Sequence, residues 1–156
     1  MATRRPDKVL GLHFFNPAPV MKLLEVVRTI ATSDETLETA KEFGKSIGKT
    51  VVVAKDTPGF IVNRLMLPEL LNAVRMLEAG VATREDIDNA VVLGLNHPMG
   101  PLALADLVGL DVILSLANTL YNEFKDPQFA PPVLLVRMVS AGWLGRKKGK
   151  GFYEYK

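Results

Sequence analysis

An α+β fold that is mostly α is what this sequence predicts, with strands around one helix up to about Lys55 and helices from there to the end. Three observations carry the prediction. Apolar residues before Lys55 fall in short β-branched or aromatic runs, whereas after Asp56-Thr57-Pro58-Gly59 they recur at helical spacing. The chain has 156 residues, 48% hydrophobic and 23% charged, enough for one or two small domains with cores of their own. Disorder is excluded as the main state.

The run from Lys8 to Phe15 is apolar and aromatic and stops at Asn16-Pro17-Ala18-Pro19, where two prolines withhold N–H donors from any ladder. That predicts a strand and then a turn. Met21 to Arg28 carries Leu23, Leu24, Val26 and Val27 around Glu25, which suits a second, largely buried strand. Ser33 or Thr32 can cap the helix that follows, with Glu35 completing a capping box from Thr32, and Gly48 ends it. Thr50 to Ala54 is β-branched without a polar face, as expected of a strand covered on both sides. Strand, helix and strand make one βαβ-like unit.

The domain boundary is placed between residues 55 and 56. Ile61, Leu65, Leu70, Val74 and Leu77 mark one long helix that Pro68 should kink or interrupt. Thr83 caps a helix reaching about Gly94, and Pro101 opens one long apolar helix to about Phe124 that needs cover on more than one face. Pro131 and Pro132 open a last helix to Gly142, and a glycine-punctuated basic loop then leads to aromatic residues that should dock on the body.

Without cysteine, disulfides, thiolate catalysis and sulfur-liganded zinc are excluded, and no metal site is expected. The longest stretch free of Asp, Glu, Lys and Arg, Asn89 to Ala105, contains Pro98 and Pro101 and suits no bilayer core. The N-terminus lacks the apolar region of a signal peptide, so a soluble chain in the cytoplasm is the default expectation. A formal net charge of +2 with mixed helical faces points away from nucleic acid.

Only two imidazoles are available for acid–base work. If the first two strands form a hairpin centred near Pro19, His13 and Glu25 face each other, with Cβ atoms roughly 5 Å apart. The carboxylate would then hold one ring nitrogen and leave the other free, which is the arrangement of an oriented general base. The plainer alternative is a histidine at a sheet edge and a glutamate facing water. Asn63 follows the Thr57-Pro58-Gly59 helix start by one turn and could present its amide to a site or merely cap the helix. His97, before a proline, reads as structural. Arg146, Lys147, Lys148 and Lys150 among glycines could meet phosphates or form a solvated loop. Neither G-x-G-x-x-G after a strand nor a Walker A string occurs, so the chain is read as carrying no dinucleotide fingerprint of its own.

Gly11 to Val26, Asp56 to Arg64, His97 to Pro101 and Gly149 to Tyr155, in that order, closely resemble the L-3-hydroxyacyl-CoA dehydrogenase family, including its 3-hydroxybutyryl-CoA dehydrogenases. The resemblance covers the whole chain but only the later part of the family's pattern. It implies the last strands of a doubly wound NAD-binding sheet over residues 1–55, then an all-helical C-terminal substrate and dimerisation domain over 56–156. His13 matches the catalytic histidine, Glu25 its acidic partner and Asn63 the asparagine near the acyl carbonyl. Asn16 and Lys147 match contacts to the NAD cofactor, with Arg146 and Lys148 leaving the lysine register open.

By the same resemblance, histidine takes the 3-hydroxyl proton of an acyl-CoA substrate as hydride leaves C3 for NAD, and glutamate stabilises the imidazolium. A homodimer is implied as well. The front of the family's nucleotide-binding sheet and an upstream active-site serine are not in this sequence, so the NAD site is expected to be incomplete and the isolated chain inactive. Unpaired sheet edges then predict disorder or strand-mediated association before about residue 30. Two other readings stay open: a non-catalytic helical interaction module, and the C-terminal part of a hydroxyisobutyrate-type dehydrogenase, against which the His13-Phe14-Phe15-Asn16-Pro17 string argues.

Overall fold

In a computed structural model, which describes residues 3–156, β1 (Gly11–Phe14) runs antiparallel to β2 (Leu23–Arg28) and β2 runs parallel to β3 (Thr50–Lys55), in the sheet order β1-β2-β3. The central strand is buried from Leu24 to Val27, which explains its near-continuous apolar sequence. Cover on both faces of β3 was the expectation, but Val53 is 44% exposed, so one face of this edge strand is left partly open. The helix α1 (Asp34–Ser46) connects β2 to β3 and buries Leu37 and Ala40 against Leu24 and Val26. The mixed sheet and mostly helical chain make an α+β fold, and these three strands with one helix do not by themselves form a doubly wound sheet.

Of the two possible caps, Ser33 is the one used, its hydroxyl accepting from the Thr36 amide. Thr32 is instead buried, with its hydroxyl donating to the Val9 carbonyl at 2.6 Å, while Glu35 pairs with Lys8 at 2.9 Å. The same bond corrects the expected disorder before residue 30. The hairpin is closed along its whole register, Thr32 ties the segment ahead of β1, and Lys49 donates to the Ala18 and Met21 carbonyls of the turn.

The chain divides into two units, the first ending at Val62 and the second running from Asn63 to Lys156. Asp56–Val62 goes with the first unit because it bonds back to the sheet: the Asp56 amide donates to the Arg28 carbonyl, and those of Ile61 and Val62 to Glu25.

Six α-helices lie among the described residues. After α1 come α2 (Val62–Glu78), α3 (Arg84–Leu95), α4 (Pro101–Val108), α5 (Leu110–Phe124) and α6 (Val133–Ser140). Pro68 does not interrupt α2, which continues through it. Thr83 caps α3 by accepting from the Asp86 amide. The long helix expected from Pro101 to Phe124 is two helices bent by 96°. Gly109 makes the break with φ of 105°, a conformation closed to other residues, and the Leu110 amide turns to the Leu144 carbonyl. No single helix among the described residues is long and apolar enough to cross a membrane. Leu67, Leu71, Leu102, Leu110 and Leu120 are fully buried and knit α2, α4 and α5 into one core.

Candidate functional site

Residue i of an antiparallel strand faces one residue of its partner, and in this hairpin His13 faces Glu25. Their side chains meet, with Nδ1 of His13 2.6 Å from Oε2 of Glu25. Full burial of Glu25 on the central strand creates a need for hydrogen-bond donors in place of water. It is met by three donors: the His13 ring, and the amides of Ile61 and Val62 at 3.1 and 3.0 Å on Oε1. Those amides open α2, which has no side-chain cap of its own, so Glu25 serves as its cap from a neighbouring strand.

An ionised carboxylate only accepts, so Nδ1 of His13 carries the proton and Nε2 has the free lone pair. Nε2 makes no hydrogen bond among the described residues, and the ring remains 28% exposed. The rings of Phe15 and Phe60 flank it, with centroids 4.7 and 5.4 Å away. A partly covered imidazole with one nitrogen anchored and the other open can take a proton from a hydroxyl or return it.

The remaining sequence-derived candidates are less concentrated. Asn16 is exposed in the turn just past β1. Asn63 lies in the first turn of α2, at the start of the second unit, half-buried and with no side-chain hydrogen bond among the described residues. Lys147 sits in the basic loop and its ammonium is held by Asp111 at 2.6 Å, which pulls the Asp111 carboxyl below its ordinary value. Arg146 stacks on Tyr155, Lys150 on Trp143, and His97 meets Glu69 at 3.2 Å.

Sequence reasoning missed two further buried acids. Asp88 accepts from the Leu102 and Ala103 amides that open α4, and Asp106 from the Phe152 and Tyr153 amides of the chain's end. Tyr153 donates its hydroxyl to Asp88, and Tyr155 to Asp106. Burial, and then the Asp88 carboxylate, push the Tyr153 phenol well above its usual range; burial and Asp106 push Tyr155 up to about 12. The available signal was negative: α2 and α4 start without a Ser, Thr, Asp or Asn cap, so their amides needed acids from elsewhere.

Two family models match the chain. Residues 59–155 match "3-hydroxyacyl-CoA dehydrogenase, C-terminal domain", and residues 1–57 match "3-hydroxyacyl-CoA dehydrogenase, NAD binding domain". The second match corrects the reading drawn from the missing glycine string. Residues up to 57 belong to the nucleotide-binding domain's family all the same, since a fingerprint marks only one turn of such a domain.

A 3-hydroxybutyryl-CoA dehydrogenase of Mycobacterium tuberculosis is 56% identical over 155 residues, covering 99% of this chain and 54% of the relative. The mitochondrial hydroxyacyl-coenzyme A dehydrogenase of Sus scrofa is 49% identical, with 99% of this chain and 50% of that protein covered. Among solved structures, (S)-3-hydroxybutyryl-CoA dehydrogenase PaaH1 from Ralstonia eutropha superposes with a TM-score of 0.96 at 47% identity, over 99% of this chain and 54% of that one. The chain thus spans about half the length of the relatives it matches. It belongs to the 3-hydroxyacyl-CoA dehydrogenase family.

Proposed function

We propose that this chain carries the acid–base and substrate part of an NAD-dependent 3-hydroxyacyl-CoA dehydrogenase, with a 3-hydroxybutyryl-CoA-like substrate. The observation that carries the reading is the 2.6 Å contact between Nδ1 of His13 and a fully buried Glu25, with Nε2 left open. In the oxidising direction Nε2 accepts the proton of the 3-hydroxyl group, and Glu25 stabilises the imidazolium so formed. In reverse, the imidazolium returns that proton to the oxygen of the reduced carbonyl.

NAD, when bound, supplies the acceptor for the hydride that leaves C3. The residues present fit one part of that cofactor: Asn16 offers an exposed carboxamide just beyond His13, whereas Lys147 would have to exchange Asp111 for it. In this reading Asn63 holds the acyl carbonyl region. Residues up to about 55 complete a doubly wound nucleotide-binding sheet, and those from 56 onward form the substrate and dimerisation domain. Exposed Leu107 and Val112 on α4 and α5 support a homodimer through the helices.

Because the chain spans about half of its relatives, turnover by the chain alone is expected to be absent. The test is a fusion in which the part of the Mycobacterium tuberculosis relative that precedes the matched region is joined to this chain. NADH formation from (S)-3-hydroxybutyryl-CoA is expected, falling at least ~100-fold in His13→Ala. Undiminished turnover in that variant would remove His13 from the mechanism.

A further inference from the structure

Phe60 stands with φ of 44°, in the left-handed region that a bulky side chain enters only at a cost. Its backbone is fixed from both sides. The Phe60 amide donates to the Thr57 carbonyl at 3.0 Å, and the next two amides both donate to Oε1 of Glu25. A tight entry of this kind is ordinarily met with glycine or asparagine. Here it holds a phenyl ring whose centroid is 5.4 Å from the His13 imidazole, tilted by 59°. Phe15 lies 4.7 Å from the same imidazole at 54°.

The contact with Glu25 fixes where Nδ1 points but leaves the imidazole free to swing about that hydrogen bond. Two tilted aromatic neighbours remove this freedom by filling the space into which the ring would move. We infer that Phe60 is a positioning residue: its ring, carried by a left-handed backbone that Glu25 holds in place, sets the tilt of His13 and hence the direction of Nε2. This rests on the proposed role of His13. It adds that one carboxylate serves both as the histidine's partner and as the anchor of the residue that steers it.

The chain's two histidines make the test direct, because nuclear magnetic resonance of labelled imidazoles resolves His13 against His97, whose partner is Glu69. Phe60→Gly removes the ring and the backbone strain together, so strain relief offsets part of the lost packing and the chain should stay folded. The Nδ1 proton signal of His13 should nevertheless broaden and its ring-current shift relax, with His97 unmoved and Phe60→Tyr restoring both. In the fusion protein kcat should fall about tenfold with KM within about twofold, and Phe60→Tyr should recover it.

Unchanged His13 signals in Phe60→Gly would overturn the inference. So would a rise in KM alone, which would make Phe60 a substrate contact, or failure of both Phe60→Gly and Phe60→Leu to fold, which would make it structural. Activity that survives His13→Ala would sink the proposed function instead, and the resonance result would still stand or fall by itself.

Discussion

Under the proposed role of His13, Glu25 is one side chain asked for stability and for chemistry at once. A fully buried carboxylate is tolerable only because three donors surround it, so its removal leaves two helix-opening amides without a partner. Glu25→Ala should therefore lower unfolding free energy by about 3 kcal/mol, measured by urea titration of the chain. Glu25→Gln keeps an acceptor for the amides and should cost less than half as much. It no longer stabilises an imidazolium, however, and should lower kcat in the fusion about as severely as any change short of removing His13. Equal losses of stability in the two variants would show that Oε1 does not cap α2. The His13–Glu25 register was legible because a hairpin centred near Pro19 leaves one arithmetic solution, and the observed pairing has it. Phe60 was not legible. Nothing in Thr57-Pro58-Gly59-Phe60 says that the left-handed conformation continues past the glycine, or that the ring beyond it turns to a histidine.

Two helices in this chain, α2 and α4, start on borrowed acids. Glu25 closes the start of α2 and Asp88 that of α4, while Asp106, in the middle of apolar α4, receives the amides of Phe152 and Tyr153. Gly151 lies so near the Asp106 carboxylate that a Cβ would overlap it, which accounts for a glycine in that position. Asp106→Ala should destabilise the chain by about 2–4 kcal/mol, checked by urea melts. The phenols bonded to these acids give a pH test. Their folded-state values lie above the unfolded value of about 10, so their contribution is complete below that pH and is lost on raising it through about 12. Tyrosinate absorbance should show late ionisation that Tyr153→Phe and Tyr155→Phe each diminish; ordinary titration of both phenols would contradict the bonds to Asp88 and Asp106. Locally capped helices were readable, as Ser33 and Thr83 show. The break at Gly109 was not, because a lone glycine in an apolar helical pattern costs only about 1 kcal/mol and gives no sign of a 96° turn. That turn is tied to Leu144, far along the chain from Leu110.

At the scale of the whole molecule, the helices leave apolar side chains facing outward. Leu107 is 49% and Val112 47% exposed on consecutive helices, and the proposed homodimer would cover them. Sedimentation velocity at micromolar concentration should give twice the chain mass, and Leu107→Glu with Val112→Glu should return it to the monomer. A wild-type monomer would end the dimer proposal. The order in which the chain is made carries a further consequence. Asp106 leaves the ribosome well before Phe152, Tyr153 and Tyr155, yet those late residues supply every donor bonded to its carboxylate, whereas Asp88 already has the Leu102 and Ala103 amides. During synthesis Asp106 therefore stays wet until translation has delivered the aromatic segment that covers it.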